Sequence, residues 1–325
     1  MSAALLHRQR GLTLIEVMIT LVIGLIVILG VMGIMGVNRQ SLRITEGLSE
    51  SQENARMAFE LIARDVRQAR DTSCGAVTAF SDDPAQGWTM EWWPLRGFAG
   101  DEATTAVATG AASGQRVDGT QALQLQGATN TLLIKSFPST PLTDKVVLTA
   151  QATSLSSGKV IICSMDAASL HNVQGISGNT LTIEPELHII DLDAPPFQVA
   201  RYSAVTWYIG HNGRAKDGGR SLYRVRLNNA GNVEPPEEIL PGIVEMNIRY
   251  HRQSDSDFIN ADQLANKAAW QTVNAIELTL VTETTQEVLD KKDAELADAD
   301  RVDAETGRRL RRQTTHVIAL RNNVE

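Results

Sequence analysis

Several scarcities bound this 325-residue chain before any motif is considered. It has two cysteines, Cys74 and Cys163, too few for a disulfide scaffold or a thiolate metal cluster. Positive charge is in deficit: the formal net charge is -8, whereas grip on a phosphate backbone needs a basic footprint. Nucleic acid is therefore excluded as the main partner. Aromatic residues make up 5%, which favours a β-rich exported domain over a dense enzyme core. Catalytic patterns are missing as well. The six histidines (His7, His171, His188, His211, His251 and His316) form neither H-E-x-x-H nor a paired metal spacing. There is no G-x-S-x-G, P-loop or G-x-G-x-x-G, and neither cysteine has a C-x-x-C partner. These absences predict no enzymatic activity, no cofactor and no metal. No proline occurs before Pro84, so nothing in the first 83 residues forces a helix to break.

Charge is also missing from Val17 to Val37, where Thr20 is the only clearly polar side chain. Those 21 residues, at about 1.5 Å each, match a hydrocarbon core of roughly 30 Å. Before them lies a basic leader, residues 1–11, carrying His7, Arg8 and Arg10 and ending at Gly11; after them the charge is mixed. That asymmetry predicts a single pass with a cytoplasmic N-terminus and the bulk of the chain outside. A secretory signal peptide would have a shorter apolar run followed by a small-x-small site, but Asn38, Arg39, Gln40 and Ser41 follow here. A lipoprotein would need a cysteine at the cleavage point.

A plain membrane anchor leaves Glu16 unexplained. A central carboxylate in a transmembrane helix costs ~2.5–3.5 kcal/mol, less near an end, and such a group usually has a partner. Cleavage between Gly11 and Leu12 would create an α-amino group at Leu12. That ammonium, on a neighbouring copy or homologue, would neutralise Glu16 in a low-dielectric setting.

Beyond the apolar run, Ala55, Ala58, Phe59, Ile62, Val66 and Ala69 fall at 3- and 4-residue spacing and form one stripe. One helix is thus predicted from about Leu12 to Arg70. Its first half would sit in lipid or among neighbours, and its second half would lay one face on a globular domain. After Cys74 the patterning changes to short strands. "VEMNIRY" alternates Val244, Met246, Ile248 and Tyr250, "AIELTL" alternates Ile276, Leu278 and Leu280, and "LYRVRL" puts Tyr223, Val225 and Leu227 on one face. "VTWYI" and "LYRVRL" flank a turn-rich link and predict a long-looped hairpin; "KVVLTA", "KVIIC" and "TLTIEP" add three strands. Gly97–Gly119 reads as a loop. Residues 287–313 hold eight acidic and seven basic residues and read as a solvated loop or exposed helix between two strands. Its basic end (Arg308, Arg309, Arg311 and Arg312) is a candidate contact for an acidic partner.

Three weaker features complete the inventory. Asp255, Asp257 and Asp262 offer oxygen ligands at short spacing but lack the glycine and terminal glutamate of a calcium loop, so a surface loop is expected. Trp88, Trp92 and Trp93 form either core packing or an exposed partner patch. Two cysteines in an oxidising compartment predict a Cys74–Cys163 disulfide, with two free buried thiols as the alternative.

"G-L-T-L-I-E", Gly11 to Glu16, followed by an apolar helix, resembles the processing motif of type IV prepilins and type II secretion pseudopilins. The resemblance implies that a membrane peptidase cuts after Gly11 and N-methylates Leu12. It also implies that Glu16, the fifth residue of the mature chain, helps the subunit dock at the filament base. Leu12 stands where phenylalanine is commoner, and Gly33 where many major pilins carry a kinking proline. "SQENARMAFELIARDVRQAR", "LPGIVEMNIRY", Trp270–Leu280 and Thr314–Asn323 resemble the PilW family of minor pilins. This likeness covers the first 70 residues and much of 240–323, but not the middle of the chain.

Membership would imply an α+β, pilin-like fold: leader 1–11, membrane or filament-core half-helix 12–37, amphipathic half-helix 38–70 and a β-rich periplasmic domain 71–325. The implied function is a non-enzymatic minor pilin that helps initiate type IV pilus assembly in a tip or priming complex. The alternative is a minor pseudopilin of a type II secretion system. The implied partners are the prepilin peptidase/methyltransferase, other minor pilins and the major pilin, with the inner membrane as its site before assembly and the pilus, at its tip, afterwards.

Overall fold

Thr13 opens the long helix. Its backbone is extended (φ −79°, ψ 149°), and its hydroxyl accepts the Glu16 amide at 3.3 Å, which satisfies one of the helix's orphan donors. From there α1 (Leu14–Gln68) runs 55 residues without interruption, about 80 Å at 1.5 Å per residue. It stops when Ala69 turns to an extended conformation while its N–H still reaches Asp65 O and Val66 O. The computed structural model describes residues 13–69, 79–81, 95–98, 107–138, 142–152, 155, 158–164, 167–188, 196–228, 232–264, 266–290, 301–302 and 307–320. The expected ends at Leu12 and Arg70 fall just outside these.

The two halves of α1 have opposite environments. Every buried residue of the helix lies from Ser51 onward: Ser51, Ala55, Ala58, Phe59, Ile62, Ala63 and Val66. This is the predicted stripe, extended by Ser51 and Ala63. In the apolar half nothing is buried, and large side chains from Leu14 to Val37 stand open.

The remaining chain is mostly antiparallel sheet. The strands are β1 (Ala79–Ser81), β2 (Leu95–Phe98), β3 (Ala122–Ser136), β4 (Leu142–Leu148), β5 (Gly158–Cys163), β6 (Ala167–Ser177), β7 (Thr180–His188), β8 (Gln198–His211), β9 (Arg220–Arg226), β10 (Glu237–Pro241), β11 (Ile243–Arg252), β12 (Val273–Glu283) and β13 (Arg311–Ala319). A short helix, α2 (Lys267–Gln271), precedes β12. The last three strands form their own sheet, ordered β11-β12-β13, and the first ten form another; among the described strands only β1 and β6 pair in parallel. The observed architecture is the expected α+β one, a long apolar helix followed by a β-rich region.

Within the larger sheet, six strands close on themselves: β3 pairs β8, β8 pairs β5, β5 pairs β6, β6 pairs β7, β7 pairs β4 and β4 pairs β3. This small barrel holds its own core, including Val146, Leu148, Val160, Ile162, Leu181 and Val199. It provides the fold of the middle region. β3 and β8 belong to two cores at once. Their Leu132 and Val199 ends line the barrel, while their Leu123, Leu125, Trp207 and Ile209 ends lie beneath α1.

The core under α1 joins both sheets. Phe59, Ile62 and Val66 pack with Trp207 and Leu222 of the larger sheet and with Ile248, Ile276, Leu278 and Ile318 of the smaller one. β11 keeps the expected alternation, with Val244, Met246, Ile248 and Tyr250 buried. The long-looped hairpin is β8–β9, and all three further predicted strands occur, as β4, β5 and β7.

β9 keeps Tyr223 and Val225 together in one buried cluster, as expected, and buries its other face too, since Leu222 enters the core under α1; Leu227 lies beyond the strand's end. One expectation is corrected. The predicted loop at Gly97–Gly119 begins inside β2, where a Cβ on Gly97 would lie 1.8 Å from the Tyr250 hydroxyl. Here a glycine marks close packing against a buried ring and no turn.

Gly242 links β10 to β11 in the left-handed region (φ +73°), and a Cβ there would stand 2.7 Å from Glu283 O. Its own carbonyl accepts the Glu283 amide at 2.8 Å, tying the turn to the end of β12. Gly242→Ala therefore meets both backbone strain and a backbone clash. It should destabilise the chain by about 1–3 kcal/mol, read as a lower denaturant midpoint, and an unchanged midpoint would refute this reading of the turn.

Candidate assembly surface and its anchorage

The motif residues lie at the start of α1. Gly11 and Leu12 are outside the described residues. Glu16 is exposed, in the first turn, with its amide held by both Thr13 Oγ1 (3.3 Å) and Thr13 O (3.1 Å). A carboxylate in the first turn is favoured by the helix dipole. Among the described residues it has no ion pair within the chain. Glu16 is the only charged residue from Leu14 to Val37, so the surface consists of one carboxylate at the tip of an otherwise apolar rod. Isolated apolar side chains on a protein surface are ordinary, but an unbroken apolar rod several turns long needs lipid or other protein. Gly24, Gly30, Gly33 and Gly36 meet nothing within 4 Å.

The other half of α1 is fastened at three levels. Nearest the apolar half, Glu50 accepts from Thr285 Oγ1 at 3.1 Å and Ser51 Oγ donates to Thr282 Oγ1 at 2.7 Å. In the middle, the Phe59 and His316 rings meet with centroids 4.2 Å apart. At the far end Trp207 Nε1 donates to Asp65 Oδ2 at 3.0 Å. Trp207 is fully buried on β8, and the guanidinium of its cross-strand partner Arg224 lies 5.2 Å over its ring. Arg224 in turn donates to Glu237 Oε2 at 2.8 Å.

The charged 287–313 stretch departs from the plain solvated loop expected of it. It does link β12 to β13, but Val288, Leu289 and Val302 are buried in a small cluster with Ile44 and Leu310. Thr284 N–H bonds Leu310 O at 3.0 Å, and the Val288 and Leu289 amides both reach Arg308 O at 3.0 Å. A Cβ on Gly47 would come within 3.0 Å of Val288, so the start of this link lies against α1 about ten residues beyond the apolar run. Its basic end is largely committed within the chain. Arg308 pairs with Glu287, Arg309 is buried against Ala215 O and Lys216 O, and Arg311 pairs with Glu283 at 2.7 Å; Arg312 has no ion pair among the described residues.

Other candidates resolve simply. Asp255 is held by Arg252 at 2.7 Å, and among the described residues no group of three His, Cys, Asp or Glu is placed to hold a metal. Cys163 is buried at the end of β5, and no described cysteine is a free thiol; Cys74 lies outside the described residues, as do Trp88, Trp92 and Trp93. The Asp65–Trp207 pair was not singled out by sequence reasoning. Its signal was a carboxylate between Ile62 and Val66, inside the apolar stripe, where a charged residue needs a partner.

Burial pushes the Asp65 carboxyl above the usual carboxylate range, against the opposing pull of the Trp207 hydrogen bond and the Arg64 and Arg224 charges. With the folded value above the unfolded one, the stability from protonated Asp65 is complete below the unfolded value. It is lost as pH rises through the folded one. Asp65→Asn keeps an acceptor for Trp207 and removes the buried charge, so its stability relative to the parent should rise from acid to neutral pH. Asp65→Ala leaves a buried N–H unpaired and should cost about 1–3 kcal/mol. Denaturant midpoints across that pH range test both, and an Asn variant as damaging as Ala at neutral pH would contradict the account.

Two family models match the chain at the places this geometry distinguishes. The prokaryotic N-terminal methylation motif matches residues 6–32, the leader and apolar start of α1. The type IV pilus-assembly protein W model matches residues 206–322, from the part of β8 under α1 through β13. No curated protein and no solved structure matches. Most of the barrel lies outside both regions, whereas the sheet that seats the helix lies within the second. The chain is thus similar to type IV pilus-assembly protein W over the region that seats the second half of the helix, and it carries a prokaryotic N-terminal methylation motif at the start of the exposed half.

Proposed function

We propose that this chain is a minor pilin that helps start type IV pilus assembly in a tip or priming complex and does no chemistry itself. The observation that carries the proposal is the division of α1. Its apolar half is bare with one carboxylate at the tip, and its other half is built into the PilW-matched sheet. In this reading the chain first sits in the inner membrane with its N-terminus cytoplasmic and its β-rich part periplasmic. The prepilin peptidase/methyltransferase cuts between Gly11 and Leu12 and methylates Leu12, and the helix then leaves lipid for the helices of other minor pilins and the major pilin. Exchanging lipid for neighbouring helices leaves the apolar surface covered at both stages. Glu16 gains what it lacks in the monomer, an ammonium from a neighbour's processed N-terminus. In a low-dielectric bundle that pairing favours one axial register, because a carboxylate left unpaired there is costly. The division into 1–11, 12–37, 38–70 and 71–325 follows this use.

We further propose a Cys74–Cys163 disulfide. Support comes from the burial of Cys163 and the lack of a free thiol among the described residues. Closing a loop of about 90 residues would contribute ~4–5 kcal/mol in the chain-entropy model, and it would tie the chain just after α1 to the barrel strand β5.

Mass spectrometry of the membrane-extracted chain should find it starting at N-methyl-Leu12; a Met1 start would overturn the pilin reading. Glu16→Val should be processed normally yet fail to enter filaments, and normal entry would remove the docking role. Deleting the chain should abolish piliation and twitching. Intact pili with exported enzymes retained in the cell would assign the chain to a type II secretion system instead. Non-reducing peptide mapping should join Cys74 to Cys163, and two alkylatable thiols would refute the bridge.

A further inference from the structure

Among the described residues β13 is an edge strand, paired on one side only. Its pairing partner is β12, and the bonds at its two ends fix which backbone groups that pairing uses. Leu310 O accepts from Thr284 N–H at 3.0 Å, and Leu320 N–H donates to Asn274 O at 2.8 Å. Even-numbered positions therefore face β12, and the N–H and C=O groups of Arg311, Gln313, Thr315, Val317 and Ala319 point outward. Ile318 is the only fully buried residue of the strand, and Val317 is 59% exposed. Edge strands are usually blunted by short length, proline, bulges or cover. β13 has nine residues, no proline, and no register shift against β12.

Beside this edge runs a groove of about 430 Å³ between β13 and α1, lined among others by Gln52, Phe59, Arg67, Arg312 and His316. Its charged rim is unevenly satisfied. Arg56 pairs with Glu60 at 3.2 Å, whereas Arg67 and Arg312 have no ion pair among the described residues. An extended backbone with an acidic side chain complements both features.

A second copy of this chain does not fit. Thr282 touches Ser51 and pairs with Arg312, and four residues further along β13, His316 touches Phe59, so β13 and α1 ascend together. Antiparallel pairing of two β13 edges would point the two apolar half-helices in opposite directions, which one membrane or one filament axis forbids. In-register parallel pairing would lay Arg312 beside Arg312.

We propose that the outer edge of β13 takes up, by strand addition, an extended acid-bearing segment of a different pilin-class subunit. The proposal rests on the reading of this chain as a pilin subunit. It adds a periplasmic contact that is independent of the apolar helix.

The test uses the full chain co-expressed in membranes with the other pilin subunits of its own assembly system. Val317→Pro removes one outward N–H and leaves the β12 bonds intact, since proline is tolerated on a free edge. It should lower co-purification of one of those subunits about tenfold or more, with unchanged melting temperature. Arg312→Glu should weaken the same association and decides the matter if the proline variant melts early. A photoreactive residue at Gln313 should cross-link to an acid-bearing segment of that subunit. Undiminished co-purification from a folded Val317→Pro chain, or cross-links from Gln313 to copies of this chain alone, overturns the proposal. The start residue reports separately on the pilin reading: a chain beginning at N-methyl-Leu12 with undiminished co-purification sinks strand addition alone, and one beginning at Met1 sinks both.

Discussion

The seating of Phe59, Ile62 and Val66 between two sheets is the constraint on which the rest of the molecule depends. An apolar stripe on a helix needs a cover, and here the cover comes from the β8 region on one side and β11–β13 on the other. Each sheet supplies part of the wall, so neither is complete without the helix. The polar contacts sort by position along that seat. Ser51 with Thr282 and the small cluster of Val288, Leu289 and Val302 against Ile44 mark where the helix leaves its cover, and Asp65 with Trp207 closes the far end. Apolar burial supplies most of the driving force, and the buried polar pairs set which residues meet.

This arrangement accounts for a helix that leads two different lives. Residues from Ser51 onward are fixed by the chain's own fold, and the apolar stretch up to Val37 has no cover within the described residues. Between the two, Gly47 lets Val288 approach the helix closely, because a side chain there would press on it. Under the proposed function, a rod held rigidly at one end would present Glu16 at a defined height to a neighbour's ammonium.

How much of this was legible in the sequence differs by element. The helix, its split into bare and buried halves, and the alternation of β11 were readable because each depends on local period. Apolar residues at 3 and 4 spacing, or at 2, describe one face of one element. Glu16 was readable because a carboxylate in an apolar run stands out against its background. The barrel was not readable. β3 carries Asn130 at φ +54° and breaks its pairing register there, β6 is rich in polar residues, and β3 and β8 each serve two cores, so none of them shows one clean face. Arg309 is buried by contacts to carbonyls nearly a hundred residues earlier in the chain, which no local pattern encodes.

The central claim is that the apolar half of α1 is covered by helices of other pilin subunits, and that Glu16 sets the register of that cover. The most direct test is a photoreactive side chain at Ile26, midway along the bare half, activated in membranes that carry the assembly machinery. The account predicts cross-links to the N-terminal helices of other pilin subunits, lost when Glu16 is replaced by valine. Adducts to lipid alone, or protein cross-links that persist unchanged without Glu16, would contradict it.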